Sequence, residues 1–124
     1  MRLILLFLVM MASIPICHAA TTSFTCNFPL SASSSGVKKE SKPFELRFVS
    51  DDQTKKAYLI GNNGSSEVTP FGNQGGGITF VEVTGTGNVI VTAITSIGDA
   101  VHSRNGIISG KLIPSQYYGK CTIQ

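Results

Sequence analysis

Cys26 and Cys121 stand 95 positions apart and bracket nearly every residue able to form a folded domain. A third cysteine, Cys17, lies in a different kind of segment. Arg2 opens an unbroken apolar run from Leu3 to Ala12, followed by Ser13, Pro15 and the small-residue stretch Cys17-His18-Ala19-Ala20. That order of charge, apolar run and small residues is the pattern of a secretory signal. The run is too short to span a bilayer, since about ten helical residues cover roughly 15 Å, half the hydrocarbon thickness. Cleavage after Ala19 is expected, giving a signal peptide at 1–19 and a single domain at 20–124. A lipoprotein attached through Cys17 is disfavoured because Ile16 is bulky where acylation wants a small residue.

In an exported chain the two remaining cysteines are most simply a disulfide. Cys26 alternates with Phe24 and Phe28, and Cys121 with Ile123, so both thiols point to the apolar side of the first and last strands. Joining them sets those strands side by side and removes the free edges of a sheet. The rest of the chain offers strands to fill the wall. Phe44, Leu46 and Phe48 alternate with Glu45 and Arg47, and further β-branched runs cover 56–60, 67–69, 78–83, 88–95, 100–103, 107–113 and 117–123. Turns are expected at Asp51-Asp52-Gln53-Thr54, Asn62-Asn63-Gly64, Gly85-Thr86-Gly87, Gly98-Asp99 and Asn105-Gly106. No segment carries a helical repeat of apolar positions. The expectation is an all-β fold: an up-and-down antiparallel barrel of about eight strands closed by the Cys26–Cys121 disulfide, with a two-sheet sandwich as the alternative. The Ser-rich stretch within 29–43 reads as a flexible loop.

Composition limits function more than it identifies one. The whole chain has 124 residues and a net charge of +3, and the expected mature chain has nine basic residues against seven acidic. That balance is too mild for nucleic acid. His102 is the only histidine beyond the leader, so no metal-ligand set and no cofactor are expected. Asp99, His102 and Ser103 contain the residue types of a hydrolase triad, but strand parity turns His102 away from the other two. A hydrolase using His102 with distant partners is the least favoured reading.

The candidate binding residues are His102 and Arg104, which share a parity and could hold an anionic group, the pair Tyr117 and Tyr118, of which alternation exposes one, and Phe71 in its Gly-rich setting. No enzymatic activity is expected. The domain reads as a monomeric, non-catalytic binding or inhibitor module for a protein or envelope partner, periplasmic or secreted, with no transmembrane segment after cleavage. The alternative is a carrier of a small apolar ligand within the barrel. Bulky inward residues such as Phe24, Phe44, Leu46 and Phe48 disfavour that carrier.

Ala100-Val101-His102-Ser103-Arg104, with Ile113-Pro114-Ser115-Gln116-Tyr117-Tyr118-Gly119-Lys120-Cys121, resembles a group of small exported alphaproteobacterial proteins without assigned activity. The resemblance spans the final two-thirds of the mature chain and implies a Gram-negative envelope setting. Phe24-Thr25-Cys26, Gly98-Asp99-Ala100 and Cys121-Thr122-Ile123-Gln124 are similar to the periplasmic and membrane-bound inhibitors of c-type lysozyme, small barrels stapled near both ends. The inhibitory Ser-Gly-x-x-Tyr-type loop of that family has no counterpart after Ser35-Gly36 or Ser109-Gly110. This second resemblance therefore implies a scaffold and brings no site residues.

Overall fold

A computed structural model describes residues 15, 20–61 and 64–124. The expected signal peptide and the Asn62-Asn63 turn lie largely outside the described residues. Among those described, no helix is long and apolar enough to cross a membrane.

Eight strands form one closed antiparallel barrel in sequence order: β1 (Thr21–Ser33), β2 (Gly36–Asp51), β3 (Lys56–Gly61), β4 (Gly64–Gly72), β5 (Ile78–Val83), β6 (Val89–Ile94), β7 (Asp99–Ile108) and β8 (Lys111–Ile123). Each neighbour follows in the chain except at the seam, where β1 pairs with β8 from Phe24↔Ile123 to Ser33↔Ser115. Cys26 and Cys121 are directly opposed across that seam and joined by a disulfide. The barrel and its staple are thus as expected, and the sandwich is set aside.

Alternation fills the interior. Phe24, Cys26 and Phe28 on β1 meet Phe48, Leu46 and Phe44 on β2 in register. Phe80 stacks on Phe48 at 4.5 Å and receives the edge of Phe24 at 5.4 Å. Ala57, Val68, Ile94 and Ala100 complete the buried set. One end of the barrel carries the start of β1, the end of β8 and the turns at 52–55, 73–77 and 95–98. The other, the hairpin end, carries the turns at 34–35, 84–88 and 109–110 and the end of β3 beside the start of β4.

Three local expectations are corrected. The stretch 29–43 is no free loop: β1 and β2 run through most of it as a long hairpin with a two-residue turn. Its serines and lysines stay in strands because Leu30 to Ser33 are paired on both sides, to β2 and to β8. The irregularity is confined to the ladder break beside Pro29 and before Phe44. Pro29 and Pro43, which have no N–H to donate, sit within that break.

Asn105-Gly106 is not a turn. Both residues lie within β7, paired with Pro114 and Ile113, and the chain reverses at Ser109-Gly110. Asn88 Oδ1 accepts the Ile107 N–H at 2.9 Å and secures β7 past the predicted turn. Consequently 107–113 and 117–123 are not separate strands, and β8 runs unbroken through Pro114 just beyond the last β1 pair.

The third correction concerns His102, expected with Arg104 on a face open to an anionic group. It is buried at 3% exposure, because its side of β7 continues the row of Ala100 into the barrel.

Ser109 and Gly110 have φ of 51° and 73°, the left-handed values of a tight two-residue hairpin. Serine is costlier there than asparagine, so Ser109→Asn should raise stability by about 0.5–1 kcal/mol in denaturant titration.

Candidate functional site

The five candidate residues divide between the two faces of the wall. His102, Arg104 and Tyr117 share the inward side of β7 and β8, while Tyr118 and Phe71 point outward.

His102 sits between its register partners Thr92 and Tyr117. Its ring lies 5.6 Å from Phe44, 5.9 Å from Phe28 and 6.0 Å from Tyr117, centroid to centroid. Thr92 Oγ1 and His102 Nδ1 are 2.7 Å apart. Burial, reinforced by the positive charge of Arg104, pushes the His102 pKa down to about 4. The imidazole is therefore neutral at neutral pH. Ser103 and Asp99 lie on the opposite face, where Ser103 Oγ accepts from Gln116 Nε2 at 3.2 Å and Asp99 pairs with Lys120 at 2.6 Å. The three triad residue types do not converge.

Because folding depresses this pKa, the unfolded chain binds the proton more tightly. Stability is complete above the unfolded value near 6.5 and falls as pH drops toward 4, by about 3 kcal/mol at the lower limit. Glu40 and Asp51, both held below the carboxylate range by hydrogen bonds to Ser31 and to the Gln53 and Thr54 amides, lose their contributions only at lower pH. Denaturant midpoints measured from pH 7 to 4.5 should decline in the parent protein and stay nearly level in His102→Leu.

Above His102, toward the hairpin end, the interior becomes polar. Ser31 Oγ donates to Glu40, which also pairs with Lys38 at 3.5 Å. These groups, with Ser115 and Tyr117, line a hollow of about 440 Å³. Arg104 borders a second hollow of about 440 Å³ beside Asn88 and Ile90, and makes no ion pair among the described residues. The expected pairing of His102 and Arg104 as an anion clamp is not formed: His102 is sealed below while Arg104 is exposed at the rim.

On the outer wall a groove of about 520 Å³ is lined by Asn73, Ala93, Ser96, Asp99, Val101 and Tyr118, among others. The loop at 73–77 forms one bank. Gly77 lets that loop approach β6, since a Cβ there would lie 2.6 Å from the Ile94 carbonyl oxygen. Small outward residues make the floor, and Tyr118, 38% exposed, donates its hydroxyl to Gln116 Oε1 at 2.6 Å. Phe71 lies in the same cross-strand row as Tyr118 through Thr79, Ala93 and Val101, but four strands away, about 19 Å at ordinary strand spacing. Sequence reading found Tyr118 and missed the groove, whose floor consists of Ala and Val that read as core.

No protein-family model, no curated protein and no solved structure matches this chain.

Proposed function

We propose that this domain is a non-catalytic binding module of an exported protein, periplasmic or secreted, which holds a partner protein at the groove beside Tyr118. The observation that carries the reading is the apolar groove on the outer wall, set against an interior packed with aromatic rings at mid-barrel and hollow only toward the hairpin end, where its lining is polar. The groove is chiefly apolar with polar groups at its margin, the composition of a recognition pocket. An apolar ligand finds no matching space inside, because Phe24, Phe48 and Phe80 fill the middle of the barrel and the hollow above His102 is lined by Ser31, Lys38 and Glu40. Burial of His102 and the divergence of Asp99 and Ser103 argue in the same direction. An apolar side chain from an extended partner segment fits over the paired Ala93 and Val101, with the tyrosine ring as anchor.

The test is retention of proteins from an envelope extract by the immobilised domain, compared with Tyr118→Ser and with Glu67→Ser, which alters an exposed side chain outside the groove lining. Tyr118→Ser should weaken retention about tenfold or more, and Glu67→Ser should not. Equal retention by Tyr118→Ser would overturn the groove assignment. A c-type lysozyme inhibition assay on the same variants tests the inhibitor form of the proposal.

A further inference from the structure

Among the described residues thirteen large apolar side chains are exposed, and eight of them gather at the hairpin end, with Val37, Val83, Ile107, Ile108, Leu112 and Ile113 among them. The densest group is the tip of the β7–β8 hairpin. This tip extends beyond its neighbours, because β6 pairing ends at Asn105 and β1 pairing ends at Ser115. Ile107 faces out with Leu112, and Ile113 faces in opposite Gly106, so the tip is aliphatic on both surfaces. Such a tip rests on neither the core nor the groove beside Tyr118.

The charge distribution has the same polarity. The hairpin end carries Lys38, Lys39, Lys42, Arg104 and Lys111 against Glu40 and Glu82, and Glu40 is already occupied by Ser31 and Lys38. At the opposite end Asp51, Asp52 and Asp99 balance Lys55, Lys56 and Lys120. A single end of the barrel thus combines protruding aliphatic side chains with surplus positive charge. That pairing matches an anionic bilayer surface, where acyl boundary and phosphate groups lie within a few ångströms of each other. A protein partner would complement the aliphatic tip but gives no reason for a basic surround on this end alone.

We propose that the hairpin end docks on an anionic phospholipid surface, inserting the β7–β8 tip among the headgroups and setting Lys111, Arg104 and the lysines of β2 against the phosphates. The barrel then stands with the start of β1 and the end of β8 away from the membrane and the groove beside Tyr118 open to the side.

The absence of tryptophan allows a clean test. Leu112→Trp places a single reporter at the tip, and Ile97→Trp places one at the opposite end, where the native side chain is 81% exposed. With vesicles of equal parts phosphatidylglycerol and phosphatidylcholine, Leu112→Trp emission should shift to the blue and Ile97→Trp emission should not. Pure phosphatidylcholine should give little shift. Lys111→Glu in the Leu112→Trp background should weaken binding at least about fivefold, with an unchanged melting temperature showing that the barrel is intact. Absence of a shift with anionic vesicles, an equal shift from Ile97→Trp, or a concentration-dependent shift without lipid would each overturn the proposal, the last in favour of self-association. The outcome is independent of Tyr118→Ser, so failure here leaves the groove reading standing.

Discussion

Replacing Cys26 and Cys121 together with alanine should lower stability by about 4–5 kcal/mol and the melting temperature by roughly 20–30 °C. The staple closes a loop of 95 residues, and on the chain-entropy account most of its effect lies in restricting the unfolded chain. Against about 5–15 kcal/mol for a whole domain, that loss leaves a protein near its folding threshold at 37 °C. Alanine is the right replacement because Cys26 is fully buried and Cys121 is 8% exposed, so serine would add the burial of a hydroxyl. Thermal melts of the double variant and parent decide the matter. An unchanged midpoint would mean that the strand pairing between β1 and β8 suffices alone.

Gly119→Ala should be comparably severe, costing about 3 kcal/mol or more and leaving little folded protein. At the seam, the pairing passes from Asn27↔Lys120 to Leu30↔Tyr118, so Phe28 and Pro29 together oppose Gly119. This is a bulge in β1, and the crowded backbone comes up against the glycine. A Cβ on Gly119 would lie 1.9 Å from the Asn27 carbonyl oxygen and 2.8 Å from the Phe28 Cα, contacts with main chain that cannot rotate away. Gly36→Ala is the informative control. Gly36 has φ of +113° but open space around it, so its substitution should cost only the backbone strain, about 1–3 kcal/mol, and leave a folded barrel. Equal stability of Gly119→Ala and the parent in urea would refute the close-packed seam.

The barrel was legible because two independent signals agreed. Phe24-Cys26-Phe28 and Phe44-Leu46-Phe48 alternate cleanly against polar neighbours, and the cysteine parity brought first and last strands together. Legibility failed where pairing, not side-chain pattern, holds a strand. Ser31 to Ser33 carry no apolar alternation, yet β2 and β8 supply ladders on either side. Asn105-Gly106 and Ser109-Gly110 are both plausible reversals by residue type, and only the reach of Asn88 to Ile107 distinguishes them. In β5 to β7 the outward positions Val81, Val91 and Val101 are as apolar as the inward ones, which hid both the groove and the side on which His102 would fall. Parity separated His102 from Asp99 and Ser103 but could not say which of them faced water.

The seam between first and last strands also sets an order of events. A polypeptide made from its N-terminus presents Cys26 early, while its mate arrives only with the thirteen residues of β8. Until then seven strands form at best an unfinished wall whose outer margins are unpaired, and the contacts that close it are the most distant in the chain. Arrival of the final segment is therefore the step that permits completion, and a truncated chain would be left with Cys26 unpaired and two open margins.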